Sequence, residues 1–125
     1  MIGSTRRVTV WGYGAPVDMR KAFDALSGLV STAMGKELLS GDVFLFVSKN
    51  RKRAKALLWD GTGLCLYAKR LEKGCFTALW KGEAHDGGIL KMTMSELALF
   101  LEGSALAGKV PLSPEPFVFG NVGVV

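Results

Sequence analysis

Residues 53–59 (Arg-Ala-Lys-Ala-Leu-Leu-Trp) and 64–71 (Leu-Cys-Leu-Tyr-Ala-Lys-Arg-Leu) are two runs of strand length separated only by Asp60-Gly61-Thr62-Gly63. Aspartate accepts hydrogen bonds from its own turn, and glycine supplies the backbone angles that a reversal needs, so the arrangement predicts a β-hairpin. A hairpin is marginal alone in water and must be backed by further strands or a helix. Residues 43–47 (Val-Phe-Leu-Phe-Val) supply such a partner, because a continuous apolar run of that length is expected of a central strand covered on both faces. Residues 7–11 (Arg-Val-Thr-Val-Trp) read as a short strand near the domain's edge, broken by Gly12-Tyr13-Gly14-Ala15-Pro16, and residues 75–80 as a further short strand.

After Val17 the apolar period changes. Ala22, Phe23, Leu26, Leu29, Val30, Ala33 and Met34 recur at the three-and-four spacing of one helical face. Asp18 is the expected N-cap, Val17 and Ala22 the staple across it and Gly35 the stop, which predicts a helix over 18–34. Thr93-Met94-Ser95-Glu96 has the form of a capping box with Met92 and Leu97 as its staple, and Gly103 closes the short helix carrying Leu97, Phe100 and Leu101. Beyond Gly103 lie three of the chain's four prolines, so residues 1–103 are expected to form one domain and 104–125 a loosely attached tail. The expected fold class is α+β: an antiparallel β-sheet of four to five strands, one amphipathic helix packed on it, and a short C-terminal helix.

Composition narrows the chemistry. At 125 residues and 49% hydrophobic the chain suits one compact domain with a real core. No apolar run approaches the roughly 18 residues needed to span a bilayer, and the polar stretch Ser4-Thr5-Arg6-Arg7 stands where a signal peptide would be apolar, so no membrane association and a cytoplasmic location are expected. Cys65 and Cys75 are too few for a zinc cluster and are expected to be small buried hydrophobes. The single histidine, His85, sits in a glycine-rich stretch that reads as an exposed turn, and no Ser/His/Asp constellation is available to it. Gly12-Tyr13-Gly14 imitates the start of a dinucleotide fingerprint, but Val17 occupies the third glycine position and Pro16 intervenes. Of the acids that could be assembled into a two-metal site (Asp18, Asp24, Asp42, Asp60, Glu72 and Glu96), Asp18, Asp60 and Glu96 already have structural duties as caps and turn residues. Catalytic residues, cofactor and metal are therefore all expected to be none.

The charge is concentrated. Residues 49–73 hold eight basic residues (Lys49, Arg51, Lys52, Arg53, Lys55, Lys69, Arg70 and Lys73) against two acids, while the other eight basic residues are outnumbered by nine acids. The whole positive excess of the +5 chain lies on the hairpin and the loop leading into it, as expected of a polyanion-binding surface. Centring the turn on Gly61-Thr62 sets Trp59 opposite Leu64, Lys55 opposite Ala68 and Arg53 opposite Arg70. Like charges so placed destabilise a sheet unless an anion lies between them, and Arg51, Arg53, Lys55 and Arg70 then form a phosphate-contacting ladder. Arg20 and Lys21, which oppose the dipole of the helix they would start, join the candidate set. The competing account is a charged edge that discourages strand-to-strand aggregation. Trp59 and Tyr67 could stack on bases, although Trp59 beside Leu57 and Leu58 reads better as core.

Several segments together, taken in order, resemble a known family. They are Asp18-Met19-Arg20-Lys21-Ala22-Phe23-Asp24-Ala25-Leu26, Gly41-Asp42-Val43-Phe44-Leu45-Phe46, Leu57-Leu58-Trp59-Asp60-Gly61-Thr62-Gly63-Leu64-Cys65-Leu66-Tyr67, Lys69-Arg70-Leu71-Glu72-Lys73-Gly74 and Leu101-Glu102-Gly103. They resemble the TnpB-type accessory protein, product of the second open reading frame, of the insertion-sequence sixty-six transposon family, from about Val8 to Gly103. Where family members carry a tryptophan and a proline after the Lys-Arg-Leu-Glu block, this chain has Trp80 without the proline, and Ser104 onward replaces the usual short basic ending. The resemblance implies a small bacterial protein without a catalytic role that assists transposition beside a separate DDE-type transposase. The element-encoded transposase is the partner it implies, and element-end DNA is the partner expected of the basic hairpin. The expected function is DNA binding through the basic hairpin, and the alternative is a module that docks on the transposase without binding DNA.

Overall fold

The computed structural model describes residues 7–80, 85–86 and 88–103; the tail expected at 104–125 lies outside them. Among the described residues six strands form one sheet: β1 (Val10–Tyr13), β2 (Val43–Val47), β3 (Arg53–Trp59), β4 (Leu64–Arg70), β5 (His85–Asp86) and β6 (Ile89–Met92). Their order is β4-β3-β2-β1-β6-β5. The α+β class holds, but neither β5 nor β6 is among the expected strands, and the sheet is mixed rather than antiparallel because β1 and β2 run parallel. Parallel neighbours need a long crossover, and residues 14–42 provide it with the first helix inside. The 7–11 stretch is no edge strand: β1 runs on through Gly12 and Tyr13 and lies between β2 and β6. His85, expected in a turn, has its backbone in β5.

β2 is buried along its whole length, as its unbroken apolar run predicts. Its alternate side chains feed two cores. Val43, Leu45 and Val47 join Val10, Ala54, Ala56, Phe76, Leu79, Leu97 and Phe100 on one face. Phe44 and Phe46 join Val17, Leu26, Val30, Met34 and Leu57 on the other. The 75–80 stretch is not a strand; it crosses the first face irregularly, burying Phe76, Ala78 and Leu79, with the Phe76 ring stacked on Phe100 at 5.2 Å. The helix α2 (Met94–Phe100) covers this face, and its Thr93/Glu96 capping box is fully formed. Met92 and Leu97 pack in the same core, as the staple requires.

The other face is covered by α1 (Phe23–Gly28), continued by a π-helical turn, Leu29–Ala33. The predicted start at Asp18 is corrected: Ala22 is the N-cap, without a side-chain cap bond. Asp18 instead closes a local turn, its Oδ1 accepting from the Arg20 amide at 2.9 Å. Two anchors hold residues 17–21 off the helix axis. The Val17 amide donates to the Val47 carbonyl at 3.0 Å, and the Lys55 ammonium takes the Met19 and Lys21 carbonyls. Farther on, the Thr32 hydroxyl donates to the Gly28 carbonyl at 2.6 Å, and the Met34 amide reaches back five residues to Leu29, which widens the last turn. Leu26, Val30 and Met34 face the sheet, whereas Ala22, Phe23 and Ala33, expected on that stripe, face solvent. Gly35 ends the helix at a φ of 63°, as predicted.

Candidate nucleic-acid interface

The hairpin folds in the predicted register, with Trp59 opposite Leu64, Lys55 opposite Ala68 and Arg53 opposite Arg70. Asp60 Oδ1 accepts from the Thr62 and Gly63 amides at 2.9 and 3.0 Å and closes the turn. These bonds stabilise the carboxylate and bring its pKa down from 3.8 to about 2. Cys65 is exposed and Cys75 half-buried, so neither is the buried hydrophobe expected. The Cys65 thiol donates to Asp60 Oδ2 at 3.4 Å, which raises its pKa.

The pleat sorts the basic residues by face. Arg53, Lys55 and Arg70 share the α1 face with Leu57, whose side chain is in that core. Lys52 and Lys69 share the α2 face with Ala54, Ala56 and Tyr67. Several of these cations are tied to main-chain carbonyls. Lys55 Nζ donates to Met19 O and Lys21 O, both at 2.8 Å. Lys69 Nζ donates to Leu101 O at 2.7 Å, at the end of α2. Lys52 Nζ donates to Gly74 O at 2.9 Å, and Arg51 Nη1 to Phe76 O at 3.4 Å. These contacts sew the hairpin to the segments around it.

A second group points outward. Lys21, Lys49, Arg53 and Lys73 are exposed and make no side-chain hydrogen bond or ion pair among the described residues. Arg70 makes one long, exposed contact with Glu72 at 3.5 Å, the kind of surface pair that contributes roughly 0–1 kcal/mol. Arg20 is paired with Asp18 at 2.7 Å. The guanidinium holds that carboxyl well below the usual carboxylate range, and the pairing raises the arginine's own pKa.

Arg53 is the hub. The Leu71 amide bonds to the Lys52 carbonyl, so residues 53 and 70 meet at the narrow, non-hydrogen-bonded position where backbones approach to about 4.5 Å. An open cleft of about 660 Å³, lined by Asp18, Arg20, Lys49, Asn50 and Arg53, lies on one side of Arg53. A second of about 320 Å³, lined by Lys55, Ala68, Lys69 and Arg70, also borders Arg53. Met19 lines both, and with Asn50 is a lining residue that charge counting missed. The β2–β3 turn bordering the larger cleft is unusual. Arg51 sits at φ 62°, a left-handed conformation that side chains other than glycine's rarely adopt. It is held there by its amide on Ser48 O and by its carbonyl, which accepts from the Phe76 amide.

The aromatic candidates do not share the cleft. Trp59 is half-buried, as expected, and the half-exposed Tyr67 lies on the opposite face from Arg53 and Arg70. The acids that could suggest a metal site are dispersed. Asp42 accepts from the Thr9 amide and the Trp11 indole, and Glu96 belongs to its capping box. Among the described residues no cluster of three or more His, Cys, Asp or Glu could hold a metal ion. No helix among them is long and apolar enough to cross a membrane.

Comparison with known proteins places the chain. Residues 8–121 match the family described as IS66 Orf2 like protein, which carries the likeness beyond Gly103. The chain is 33% identical over 103 residues to the Sinorhizobium fredii protein named "Uncharacterized protein y4jC", spanning 82% of this chain and 85% of that one. It is 31% identical over 103 residues to "Uncharacterized protein y4hO" of the same organism, spanning 82% and 86%. No solved structure matches it. The chain belongs to the IS66 Orf2-like family, the accessory proteins of transposition by that insertion sequence.

Proposed function

We propose that this protein is a non-catalytic transposition factor that binds DNA phosphates on the α1 face of its hairpin, helping the separately encoded transposase engage the element's ends. Arg53 and Arg70 are its central contacts, with Lys49 and Arg20 lining the cleft beside Arg53 and the exposed Lys21 and Lys73 as further cations. Arg51, Lys52, Lys55 and Lys69 add positive potential while holding the hairpin in place. The observation that carries this reading is the Arg53–Arg70 pair, two exposed arginines directly opposed at a narrow, non-hydrogen-bonded position of the ladder. Such a placement costs folding free energy and is recovered when an anion bridges the two groups.

Fluorescence-anisotropy titration against labelled element-end duplex and a scrambled duplex, at several salt concentrations, tests it. Each lost phosphate contact should lower the slope of log affinity against log salt by about 0.9. Arg53→Ala and Arg70→Ala are expected to do so on both duplexes, since phosphate contacts carry no sequence information. A salt slope unchanged in the double variant would refute the site. No binding at low salt, with co-purification of the transposase after nuclease treatment, would establish the docking module instead.

A further inference from the structure

We infer that the outer edge of β4 is a self-pairing surface, on which a second copy of this chain adds its own β4 antiparallel, Tyr67 against Tyr67, to make one continuous sheet. The sheet order ends at β4, whose one strand neighbour among the described residues is β3. The phase of its backbone follows from the bonds at either end of the hairpin: the Asp60 amide meets Gly63 O, and the Leu71 amide meets Lys52 O. Alternation between these makes Cys65, Tyr67 and Lys69 the residues bonded to β3. Leu64, Leu66, Ala68 and Arg70 therefore turn their N–H and C=O groups outward.

Exposed edges are ordinarily blunted by shortness, charge, proline or a bulge. The opposite edge is blunted by shortness, since β5 has two residues. β4 has seven residues in unbroken register, without proline or positive φ, and its first five carry no charge. At its centre Tyr67 is 50% exposed.

The strand's pattern suits its own copy better than another partner. With the two-fold axis at Tyr67, Leu64 meets Arg70 of the second copy and Leu66 meets its Ala68. Outward groups then meet outward groups along the whole strand. Lys69 faces Cys65 and Arg70 faces Leu64, so no cation lies directly opposite another. A one-residue slip would set outward groups against inward ones, and a two-residue slip would leave strand ends unpaired. An acidic partner strand would find nothing to recognise along the neutral middle. This axis is perpendicular to the sheet, so both α1 faces look the same way. The two Arg70 residues are then offset by six residues, roughly 20 Å at the usual strand rise. The pairing stands on backbone phase and side-chain pattern, independently of DNA binding.

Two variants of the full chain test it by sedimentation and cross-linking. Ala68→Pro removes an outward N–H without touching β3 or either core, as an edge strand permits. The wild type should be a dimer whose urea midpoint rises with protein concentration, and Ala68→Pro a folded monomer whose midpoint does not. Tyr67→Cys, with Cys65→Ser and Cys75→Ser, sets two thiols at a close pair within disulfide reach. Copper-phenanthroline oxidation should link it into covalent dimers, whereas Thr62→Cys in the same background should not link. A monomeric wild type overturns the proposal, as does a dimer that survives Ala68→Pro and fails to link through residue 67. A monomer whose Leu66 and Ala68 amides resist hydrogen exchange would also overturn it, by showing that the chain covers this edge itself.

Discussion

Replacing Lys55 with methionine separates a structural cation from a phosphate-binding one. The substitution keeps most of the stem and removes the ammonium, leaving Met19 O and Lys21 O without their 2.8 Å donor. A hydrogen bond to a charged group contributes about 1.5–3 kcal/mol. The Met19 contact is partly buried and should lose most of that, while the exposed Lys21 carbonyl can turn to water, so the sum is about 3 kcal/mol. With a urea m-value of about 1.5 kcal/mol/M for a domain of this size, the midpoint should fall by about 2 M. Arg53→Ala is the matched control. It removes an exposed side chain bonded to nothing among the described residues, and should change stability by less than about 0.5 kcal/mol. DNA binding should move the other way: the salt slope drops for Arg53→Ala and holds for Lys55→Met, measured where both are folded. A stability loss below about 1 kcal/mol for Lys55→Met, or a salt slope reduced as much as in Arg53→Ala, would refute the assignment of Lys55 as the clasp on residues 19–21.

Three further outcomes are expected. Thr93→Ala removes the hydroxyl that accepts from the Glu96 amide at 3.1 Å and should cost about 1 kcal/mol in urea unfolding. Arg51 occupies a left-handed conformation worth roughly 1–2 kcal/mol of strain, so Arg51→Gly, which loses the bond to Phe76 O but relieves the strain, should lower the melting temperature less than Arg51→Val, which loses the bond and keeps the strain; equal effects would mean that no strain is held there. Asp60 has a folded pKa of about 2 against an ordinary 3.8. Its contribution is therefore complete above about pH 4 and lost as pH falls through about 2. The wild-type urea midpoint should drop more steeply across that window than that of Asp60→Asn, and parallel curves would show that the turn carboxylate carries no linkage.

What could be read in the sequence was what neighbours decide. The hairpin register follows from a turn whose aspartate and glycines lie between the strands they join. The capping box at Thr93 and Glu96 is likewise closed by residues three apart. The errors lie where distant segments intervene. Helix α1 starts after Ala22 because Lys55, 34 residues from Lys21 and 36 from Met19, takes the carbonyls that a helix from Asp18 would use. β1 lies inside the sheet because it pairs with β2 and β6, which are far along the chain. At the candidate site, charge counting located the patch and the period-2 pleat aligned Arg53 with Arg70. It could not separate Lys52, Lys55 and Lys69 from Lys49 and Arg53. Their carbonyl partners belong to irregular segments and a helix end, which have no signature of their own.

The parallel pairing of Val10 with Val43 sets an order in time. Of the described strands synthesis releases β1 before the two that flank it, β2 after the whole crossover and β6 at Ile89–Met92. The β3–β4 hairpin closes over a turn of a few residues and can form on the microsecond scale. β1 must wait for loop closures that cost far more chain entropy. The first of the described strands to be made is thus among the last to be sheltered. Until Ile89–Met92 has emerged and docked, Val-Trp-Gly-Tyr remains an open edge, and the nascent chain passes through a stage whose exposure no property of the finished fold reveals.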